Sequence, residues 1–251
     1  MAAIDLNADL GETVDGVPTA DDEAMFAVIS SASIACGGHA GDAGSMRDAV
    51  ARAVRHGVAV GGHPSFLDRA GFGRVPHAVE PELLRAQVRA QLLALVDAGA
   101  DLRYVKPHGA LYHAVSADEP VAGAVAAAVA DVSERVGRGL PVLALDGAIA
   151  RAADAAGLPF LREAFLDRGY LADGRLVPRG APGAVLGDPD AVAARAVRLT
   201  AEGVVDTVDG GTVRADAVSL CLHGDSPGAV AMARAVRAAL DAAGIEVRAP
   251  W

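Results

Sequence analysis

The segment Ile4-Asp5-Leu6-Asn7-Ala8-Asp9-Leu10, followed by Gly11-Glu12, opens the chain with a strict alternation of apolar and polar side chains. Alternation with period two is typical of a β-strand, so Asp5, Asn7 and Asp9 are predicted to share one face. Carboxylates that face the inside of a fold are costly unless they are hydrogen-bonded, paired or metal-bound. A solvated polar face at a sheet edge is the alternative interpretation. The turn that Gly11-Glu12 indicates immediately afterwards favours the inward-facing arrangement.

The rest of the chain alternates short apolar segments with segments of helical periodicity, of which 82–98 is the clearest. The predicted strands cover residues 4–10, 32–36, 58–62, 104–107, 141–146, 160–166 and 218–223. Repeated strand–helix units place parallel strands inside and helices outside. The sequence therefore predicts one α/β domain over residues 1–251, a seven-stranded TIM-like (β/α) barrel. An open, doubly wound sheet is the competing topology. Residues 170–184 are predicted to form a long loop or small hairpin, and residues 207–214 a surface hairpin.

Composition excludes several classes of protein. The chain has 251 residues, of which 52% are hydrophobic, and a formal net charge of -10. This charge argues against a nucleic-acid partner, which would favour a basic face. The only two cysteines, Cys36 and Cys221, lie in apolar runs, as expected of free thiols in a reducing compartment. The N-terminus lacks the features of a secretory signal, and no apolar segment is long enough to span a membrane. A cytoplasmic protein is expected.

Polar side chains follow the predicted strands at the points where these end. The seventh, 141–146, ends in Asp146-Gly147, and the other six end in histidines or carboxylates: Asp9 and Glu12, His39, His63, His108, Glu163 and Asp167, and His223 and Asp225. The carboxyl ends of parallel barrel strands open onto one face, which carries the active site in enzymes of this architecture. Any one of these histidines could simply be a polar group in a wet loop. Their agreement across the strands favours a common pocket.

Further residues in these segments have the chemistry of a charged site. Lys106 lies inside an apolar strand before a proline, and is predicted to be a fixed cation for a carboxylate or an oxyanion. Arg74 ends the loop Gly71-Phe72-Gly73-Arg74 and suits bidentate recognition of a carboxylate. Cys36 precedes Gly37-Gly38-His39, so a Cys–His nucleophile pair is one interpretation. A buried thiol that only packs is the preferred one.

A metal site is a further hypothesis. Asp9, His39, His63 and His108 carry ligand atoms that suit zinc, iron or manganese. These residues are far apart in the sequence, so a site requires the barrel to bring them together. The chain contains no P-loop, no dinucleotide-binding glycine motif and no Gly-x-Ser-x-Gly motif. The sequence therefore indicates no self-evident nucleotide site and no serine-hydrolase nucleophile.

These motifs, in this order, resemble the LamB/YcsF family, whose members are A subunits of 5-oxoprolinase. The resemblance spans nearly the whole chain and is carried by 4–12, 33–42 (Ser-Ile-Ala-Cys-Gly-Gly-His-Ala-Gly-Asp), Gly62-His63-Pro64, 71–74, 105–112 (Val-Lys-Pro-His-Gly-Ala-Leu-Tyr), 163–170 (Glu-Ala-Phe-Leu-Asp-Arg-Gly-Tyr) and 221–225 (Cys-Leu-His-Gly-Asp). Two positions depart from the family's pattern, Gly38 and Leu166, where phenylalanine and alanine are common. Neither departure removes a chemical group.

The resemblance implies a barrel of the glycoside hydrolase/deacetylase type and the ATP-dependent opening of 5-oxo-L-proline to L-glutamate. It also implies two partner subunits, B and C, with ATP as a co-substrate. On this basis we expect Asp9 or Glu12 to act as the base for water, His63 and His108 as acid–base or oxyanion groups, and Lys106 and Arg74 as charge clamps. Substrate binding is expected to involve Asn7, His39, Arg74, Glu163, Arg168, His223 and Asp225. A stand-alone metal-dependent amidohydrolase or deacetylase is one alternative, and a non-catalytic ligand-binding subunit is another.

Overall fold

A computed structural model describes residues 2–226 and 228–251. In chain order its elements begin with β1 (Ala3–Leu10), β2 (Thr13–Val14), β3 (Val17–Pro18), α1 (Asp22–Phe26), β4 (Ser31–Ala35), α2 (Ala43–His56), β5 (Ala59–His63), α3 (Pro81–Asp97), β6 (Leu102–Val105) and α4 (Gly109–Ala117). They continue with α5 (Glu119–Val136), β7 (Val142–Ala144), α6 (Ala148–Ala155), β8 (Phe160–Phe165), α7 (Pro189–Glu202), β9 (Val204–Asp206), β10 (Thr212–Arg214), β11 (Ser219–Cys221), α8 (Ala229–Ala242) and β12 (Glu246–Val247).

Seven parallel strands close into a barrel in the order β1, β4, β5, β6, β7, β8, β11 and back to β1. The closure lies at β1, where Asn7 pairs with Cys221 of β11 on one side and with Ser31 of β4 on the other. This confirms the predicted seven-stranded barrel and excludes the open sheet. The short strand β12 extends the sheet at the start of β1, beyond the barrel order. It was not predicted, because two residues carry no periodicity.

The helices cover the outside of the barrel by burying one stripe each. Helix α3, predicted over 82–98, runs from Pro81 to Asp97 and buries Leu84, Val88, Leu92 and Leu95. Burying a leucine or valine side chain contributes roughly 1.5–3 kcal/mol, so such stripes attach the helices to the strands. Helix α5 begins after Asp118, whose side chain accepts a hydrogen bond from the backbone N–H of Val121.

The inside of the barrel is filled with polar side chains rather than the branched aliphatic residues usual in such barrels. Asp5 on β1 accepts hydrogen bonds from the hydroxyls of Ser30, Ser31 and Ser219. Below this cluster, the Trp251 ring stacks on Tyr104 with 4.2 Å between ring centroids and donates to Ser31. The hydrogen-bonded layers satisfy the buried carboxylate, as the inward-facing interpretation of β1 requires.

The loops agree with the prediction in outline. Strands β9 and β10 form the predicted surface hairpin, and residues 170–184 form an irregular loop with isolated bridges. The hairpin of β2 and β3 was not predicted. Cys36 and Cys221 are buried free thiols, as expected. In the part of the chain that the structure describes, no helix has the length and apolar character needed to cross a membrane.

Candidate active site

A cavity of about 560 Å³ opens at the carboxyl ends of the barrel strands. Its polar end is formed by side chains from four strand ends: Asp9, His63, Lys106, His108 and His223. Its walls are mainly apolar, with Phe165, Leu176 and Pro178 on one side and Pro76 and Tyr112 among the other lining residues. We call it the central cavity. The convergence of these strand ends is what the barrel prediction required.

Lys106 is the buried cation of this site. Its side chain is 1% exposed, and Nζ lies 2.9 Å from Oδ1 of Asp9, 3.1 Å from Oδ1 of Asn7 and 3.2 Å from Oε2 of Glu163. Burial alone would lower the pKa of Lys106, but the carboxylates of Asp9 and Glu163 and the Cys221 side chain hold it well above its usual value. Lys106 is therefore held as an ammonium, and its role toward a substrate carboxylate or an oxyanion stays a prediction.

Asp9 is held as a carboxylate by its neighbours. Burial would raise its pKa, but its interactions with the His63 side chain and the Lys106 ammonium outweigh burial and hold the pKa well below its usual value. Oδ1 accepts from Lys106 and Oδ2 lies 3.2 Å from Nε2 of His63. A carboxylate held ionised in this way is a weak proton acceptor and a strong ligand or electrostatic anchor.

The outer nitrogens of His63 and His108 are both assigned by their hydrogen-bond partners. Nδ1 of His63 lies 2.7 Å from the carbonyl oxygen of Lys106, and Nε2 of His108 lies 2.9 Å from the carbonyl oxygen of Phe72. A carbonyl only accepts, so each of these nitrogens carries a proton. In a neutral ring the other nitrogen then has a lone pair. Those two nitrogens, Nε2 of His63 and Nδ1 of His108, face each other at 3.0 Å.

This arrangement fits a divalent metal. Ligand atoms of Asp9, His63 and His108 all lie within 4.8 Å of one another. The separations of 3.0 and 3.2 Å at His63 Nε2 are close to the edge of about 3.4 Å in a tetrahedral zinc site. The backbone carbonyls fix the two rings as the outer hydrogen-bond partners of metal-bound histidines commonly do. If no cation binds there, Nε2 of His63 must carry a second proton, because it faces two acceptors, Oδ2 of Asp9 and Nδ1 of His108.

His39 and Glu12 form a pair behind the cavity wall. Nε2 of His39 lies 3.0 Å from Oε1 of Glu12, and the His39 ring stacks on His108 at 3.7 Å between centroids. Burial, followed by the negative charge of Asp9, raises the pKa of Glu12 to about 7. Burial, with the neighbouring His63, holds the pKa of His39 well below its usual value. Neither residue lines the central cavity. Glu12 is therefore positioned to support the histidines from behind.

His223 and Asp167 form a second pair, and His223 faces the cavity. Nδ1 of His223 lies 2.9 Å from both carboxylate oxygens of Asp167. Burial would raise the pKa of Asp167, but its contacts with His223 lower it. An ionised Asp167 accepts the Nδ1 proton, so Nε2 of His223 is directed to the cavity as a proton acceptor or donor. The sequence placed Asp167 at a strand end but gave it no role.

A tight loop holds His108 in place. Phe72, whose carbonyl accepts from His108, has a φ of +53°, which strains a bulky residue by roughly 1–3 kcal/mol. Gly73 follows with a φ of +66°, and a Cβ there would lie 2.8 Å from both the His108 and His39 side chains. A Cβ on Gly109 would lie 2.4 Å from the carbonyl oxygen of Gly73. Both glycines are thus required for the loop to approach the histidines.

The structure divides the predicted residues into two groups. The first group lines the central cavity and consists of Asp9, His63, Arg74, Lys106, His108, Arg168 and His223. The second group lies outside the lining and consists of Asn7, Glu12, His39, Glu163 and Asp225. Asn7 and Glu163 hold Lys106, and Asp225 pairs with Arg74 at 2.5 Å. Direct contact of the second group with a substrate stays a prediction, and the position of these residues outside the cavity lining does not favour it.

The end of strand β7 contributes no side chain to the central cavity. Asp146, after β7, is exposed and pairs with Arg162 at 2.6 Å, outside the central cavity. The expectation that all seven strand ends converge is wrong at this strand. Sequence reasoning also did not single out His113 and Arg179, which line the cavity. Arg179 lies in the 170–184 loop, where the sequence has no periodicity that indicates which way a side chain points.

Comparisons with known proteins agree on the family. The model of the LamB/YcsF family matches residues 4–250. A protein of Streptomyces avermitilis that is named as the A subunit of 5-oxoprolinase is 50% identical over 253 residues, covering 98% of this chain and 99% of its own length. A protein of the same name from Chloroflexus aggregans is 48% identical, with complete coverage of both chains.

Solved structures give the same result at the level of the fold. The crystal structure of a lactam utilization protein from Thermus thermophilus superposes with a TM-score of 0.91 at 44% identity, covering 98% of this chain and 99% of that one. A family 4 carbohydrate esterase from Streptomyces lividans superposes with a TM-score of 0.52 at 11% identity, covering 98% and 91%. The second likeness concerns the fold alone and supports the deacetylase-type barrel.

Proposed function

The chain belongs to the LamB/YcsF family, and from this premise we propose that it is the A subunit of an ATP-dependent 5-oxoprolinase. In this proposal ATP hydrolysis drives the opening of 5-oxo-L-proline to L-glutamate. The observation that carries the proposal is the central cavity, where Asp9, His63, His108, Lys106 and His223 meet a mainly apolar wall. A small cyclic amide needs such a combination, with apolar contact for its methylenes and charged groups for its reacting carbonyl.

The coupling to ATP follows from the chemistry of the substrate. A lactam amide is a poor electrophile, and transfer of a phosphoryl group to its oxygen makes its carbon reactive. Water then adds to that carbon, the C–N bond breaks with a proton delivered to nitrogen, and a second water hydrolyses the resulting acyl phosphate. The chain lacks a P-loop and a dinucleotide motif. As the family resemblance implies, the proposal includes two partner subunits, B and C, in a cytoplasmic complex, and the naming of the relatives as A subunits supports a multi-subunit assembly.

The residues of the cavity take different roles in this reaction. Lys106 is a permanent positive charge at the base of the site, and it keeps Asp9 ionised. His223, oriented by Asp167, is the group we assign to proton transfer with water and with the leaving nitrogen. His63 and His108 present their inner nitrogens to the same space. Glu12 and His39 act from behind by holding His108 in its ring orientation.

A divalent metal fits the same residues. Asp9, His63 and His108 would hold it, and it would supply Lewis-acid polarisation of a carbonyl oxygen. The proton transfers assigned to His223 do not depend on it.

Reconstitution tests the proposal. The chain is mixed with candidate B and C subunits, ATP and 5-oxo-L-proline, and glutamate and ADP are measured. We expect both products in equal amounts, and only when all three subunits are present. Turnover by the chain alone would contradict the need for partners, and glutamate without ADP would contradict the coupling.

A stand-alone metal-dependent amidohydrolase or deacetylase is the second candidate, because of the Asp9, His63 and His108 arrangement. It predicts chelator-sensitive hydrolysis of simple amides or acetylated substrates by the chain without ATP or partners. A non-catalytic ligand-binding subunit is the third candidate. It predicts that His108→Ala and Asp9→Asn leave the activity of the assembled complex intact.

A further inference from the structure

Three arginines line the central cavity, and two of them are already engaged. Arg74 pairs with Asp225 at 2.5 Å. Arg168 donates from Nε to the carbonyl oxygen of Ala184 at 3.0 Å and from Nη2 to that of Val177 at 2.7 Å. Arg179, on the 170–184 loop, is exposed at the cavity wall and forms no ion pair within residues 2–226 and 228–251. Its guanidinium is thus available to a ligand.

Arg179 forms no ion pair with Asp9 or Asp167, although its charge contributes to lowering the pKa of Asp167. Asp9 is paired with Lys106, and Asp167, just behind the wall, is paired with His223. Arg179 lies close enough to His113, a lining residue, to help lower the pKa of that histidine, after burial and Arg168. The wall around Arg179 therefore has an excess of positive charge that attracts an anion.

The start of helix α4 also lies at the cavity wall. Helix α4 begins after His108, with no side-chain cap at its first turn, and Gly109 and Ala110 line the cavity. The amino-terminal end of a helix carries a partial positive charge. The helix start therefore adds to the positive potential of the cavity.

We propose that Arg179 binds the carboxylate of the substrate and makes the site selective for lactams that carry a carboxylate next to the ring nitrogen. This inference rests on the proposed function and adds to it a residue that determines specificity. In this arrangement the lactam carbonyl would lie at the Asp9 and His63 end, and Leu176, Pro178 and Phe165, which line the cavity, would contact the ring. A guanidinium matches a carboxylate with two parallel hydrogen bonds, whereas an ammonium cannot reproduce that geometry.

The test compares two lactams and three variants. Binding of 5-oxo-L-proline and of 2-pyrrolidinone, which lacks the carboxylate, is measured by calorimetry or ligand-observed NMR on the isolated chain. Michaelis constants for both are measured in the reconstituted complex. The variants are Arg179→Ala, Arg179→Lys and, as a matched control, Arg175→Ala. Arg175 lies on the same loop, pairs with Asp173 and faces a neighbouring cavity.

We expect Arg179→Ala to raise the KM for 5-oxo-L-proline roughly 10- to 100-fold with little change in kcat, as for the loss of a charge-assisted contact. Arg179→Lys should recover only part of this loss, and Arg175→Ala should behave as the wild type. For 2-pyrrolidinone, Arg179→Ala should change nothing. Equal effects of Arg179→Ala on both lactams, or no effect on either, would overturn the inference while turnover of 5-oxo-L-proline still stands. Failure of the intact complex to turn over 5-oxo-L-proline would overturn the proposed function, and the inference with it.

Discussion

Nζ of Lys106 lies 2.9 Å from Oδ1 of Asp9, and this contact joins β1 to the end of β6 across the inside of the barrel. Both side chains are buried, and Glu163 shares the same ammonium at 3.2 Å. One buried ammonium thus contacts two buried acidic side chains. The stability of the barrel and the charge of its active site depend on the same side chain.

Replacing Lys106 by methionine should therefore destabilise the fold as well as abolish activity. The change leaves Asp9 and Glu163 without their cation, and breaking a buried pair in this way costs about 3–5 kcal/mol. The measurement is urea unfolding at neutral pH. Arg85→Met is the control, because it removes an exposed pair with Asp131 and should have a much smaller effect. Equal losses in both variants would contradict the role of burial.

The Asp9, His63 and His108 arrangement predicts about one divalent cation per chain. Elemental analysis of the purified protein should detect it, and a chelator should lower the melting temperature, since a ligand at 100 times its Kd stabilises by about 2.7 kcal/mol. His63→Ala should lose the cation. His77→Ala, which changes an exposed histidine outside the central cavity, should retain it. Equal metal content in the two variants would rule out this site.

Asp167→Asn should slow the reaction without changing the fold. The amide lacks the negative charge that stabilises a protonated His223 and can donate to Nδ1 as well as accept from it, so proton transfer at Nε2 is impaired. We expect kcat of the reconstituted complex to fall by roughly 10²- to 10⁴-fold, with a smaller change in KM. Asp146→Asn is the matched control, since it alters the carboxylate of the strand end outside the cavity. A shifted pH profile in Asp167→Asn would distinguish loss of proton transfer from a merely structural defect.

Asp5 should make stability depend on pH. Burial raises its pKa from 3.8 to about 6, against the lowering effect of its hydrogen bonds from Ser219, Ser30 and Ser31. Between pH 4 and 6 the unfolded chain loses this proton first, so rising pH favours the unfolded state by up to about 3 kcal/mol. Above pH 6 the effect is constant.

The check is urea unfolding of the wild type and Asp5→Asn across this pH range. As pH rises from 4 to 6, the free energy of unfolding of the wild type should fall relative to that of Asp5→Asn. Asp154→Asn, at an exposed position, should follow the wild type. A parallel course of wild type and Asp5→Asn would mean that Asp5 titrates normally.

Cys36→Ala should retain full activity. The thiol is buried, donates to the carbonyl oxygen of Ile34 at 3.2 Å, and burial raises its pKa to about 12. A thiolate at Cys36 is therefore absent near neutral pH, and a Cys–His nucleophile pair is not supported. Kinetics of the reconstituted complex with and without an alkylating reagent provide the measurement. Loss of turnover in Cys36→Ala, at unchanged stability, would restore that hypothesis.

The sequence predicted the barrel well because its strands and helices have distinct periodicities. The strand ends at Asp9, His63, His108 and His223 do meet in one cavity, since parallel strands in a barrel open onto one face. The shortest elements, β2, β3 and β12, were missed because two residues contain no period.

The direction of side chains beyond the strand ends could not be predicted. Glu12 and His39 pair with each other behind the wall, and Asp146 pairs with Arg162 outside it. These orientations depend on tertiary contacts that local sequence does not encode. The same limit applies to Arg179, whose loop is held by the side chain of Arg168, which lies just before it in the sequence.

Arg168 closes the loop at residues 178–183 by binding the carbonyls of Val177 and Ala184 on either side of it. The two ends of this loop are therefore fixed to the barrel independently of the residues between them. Substitutions or changes of length within 178–183 can accumulate at little cost to folding. With Arg179 binding the substrate as we propose, substrate range and barrel integrity become separable traits, and exchange of this short loop would change the preferred lactam.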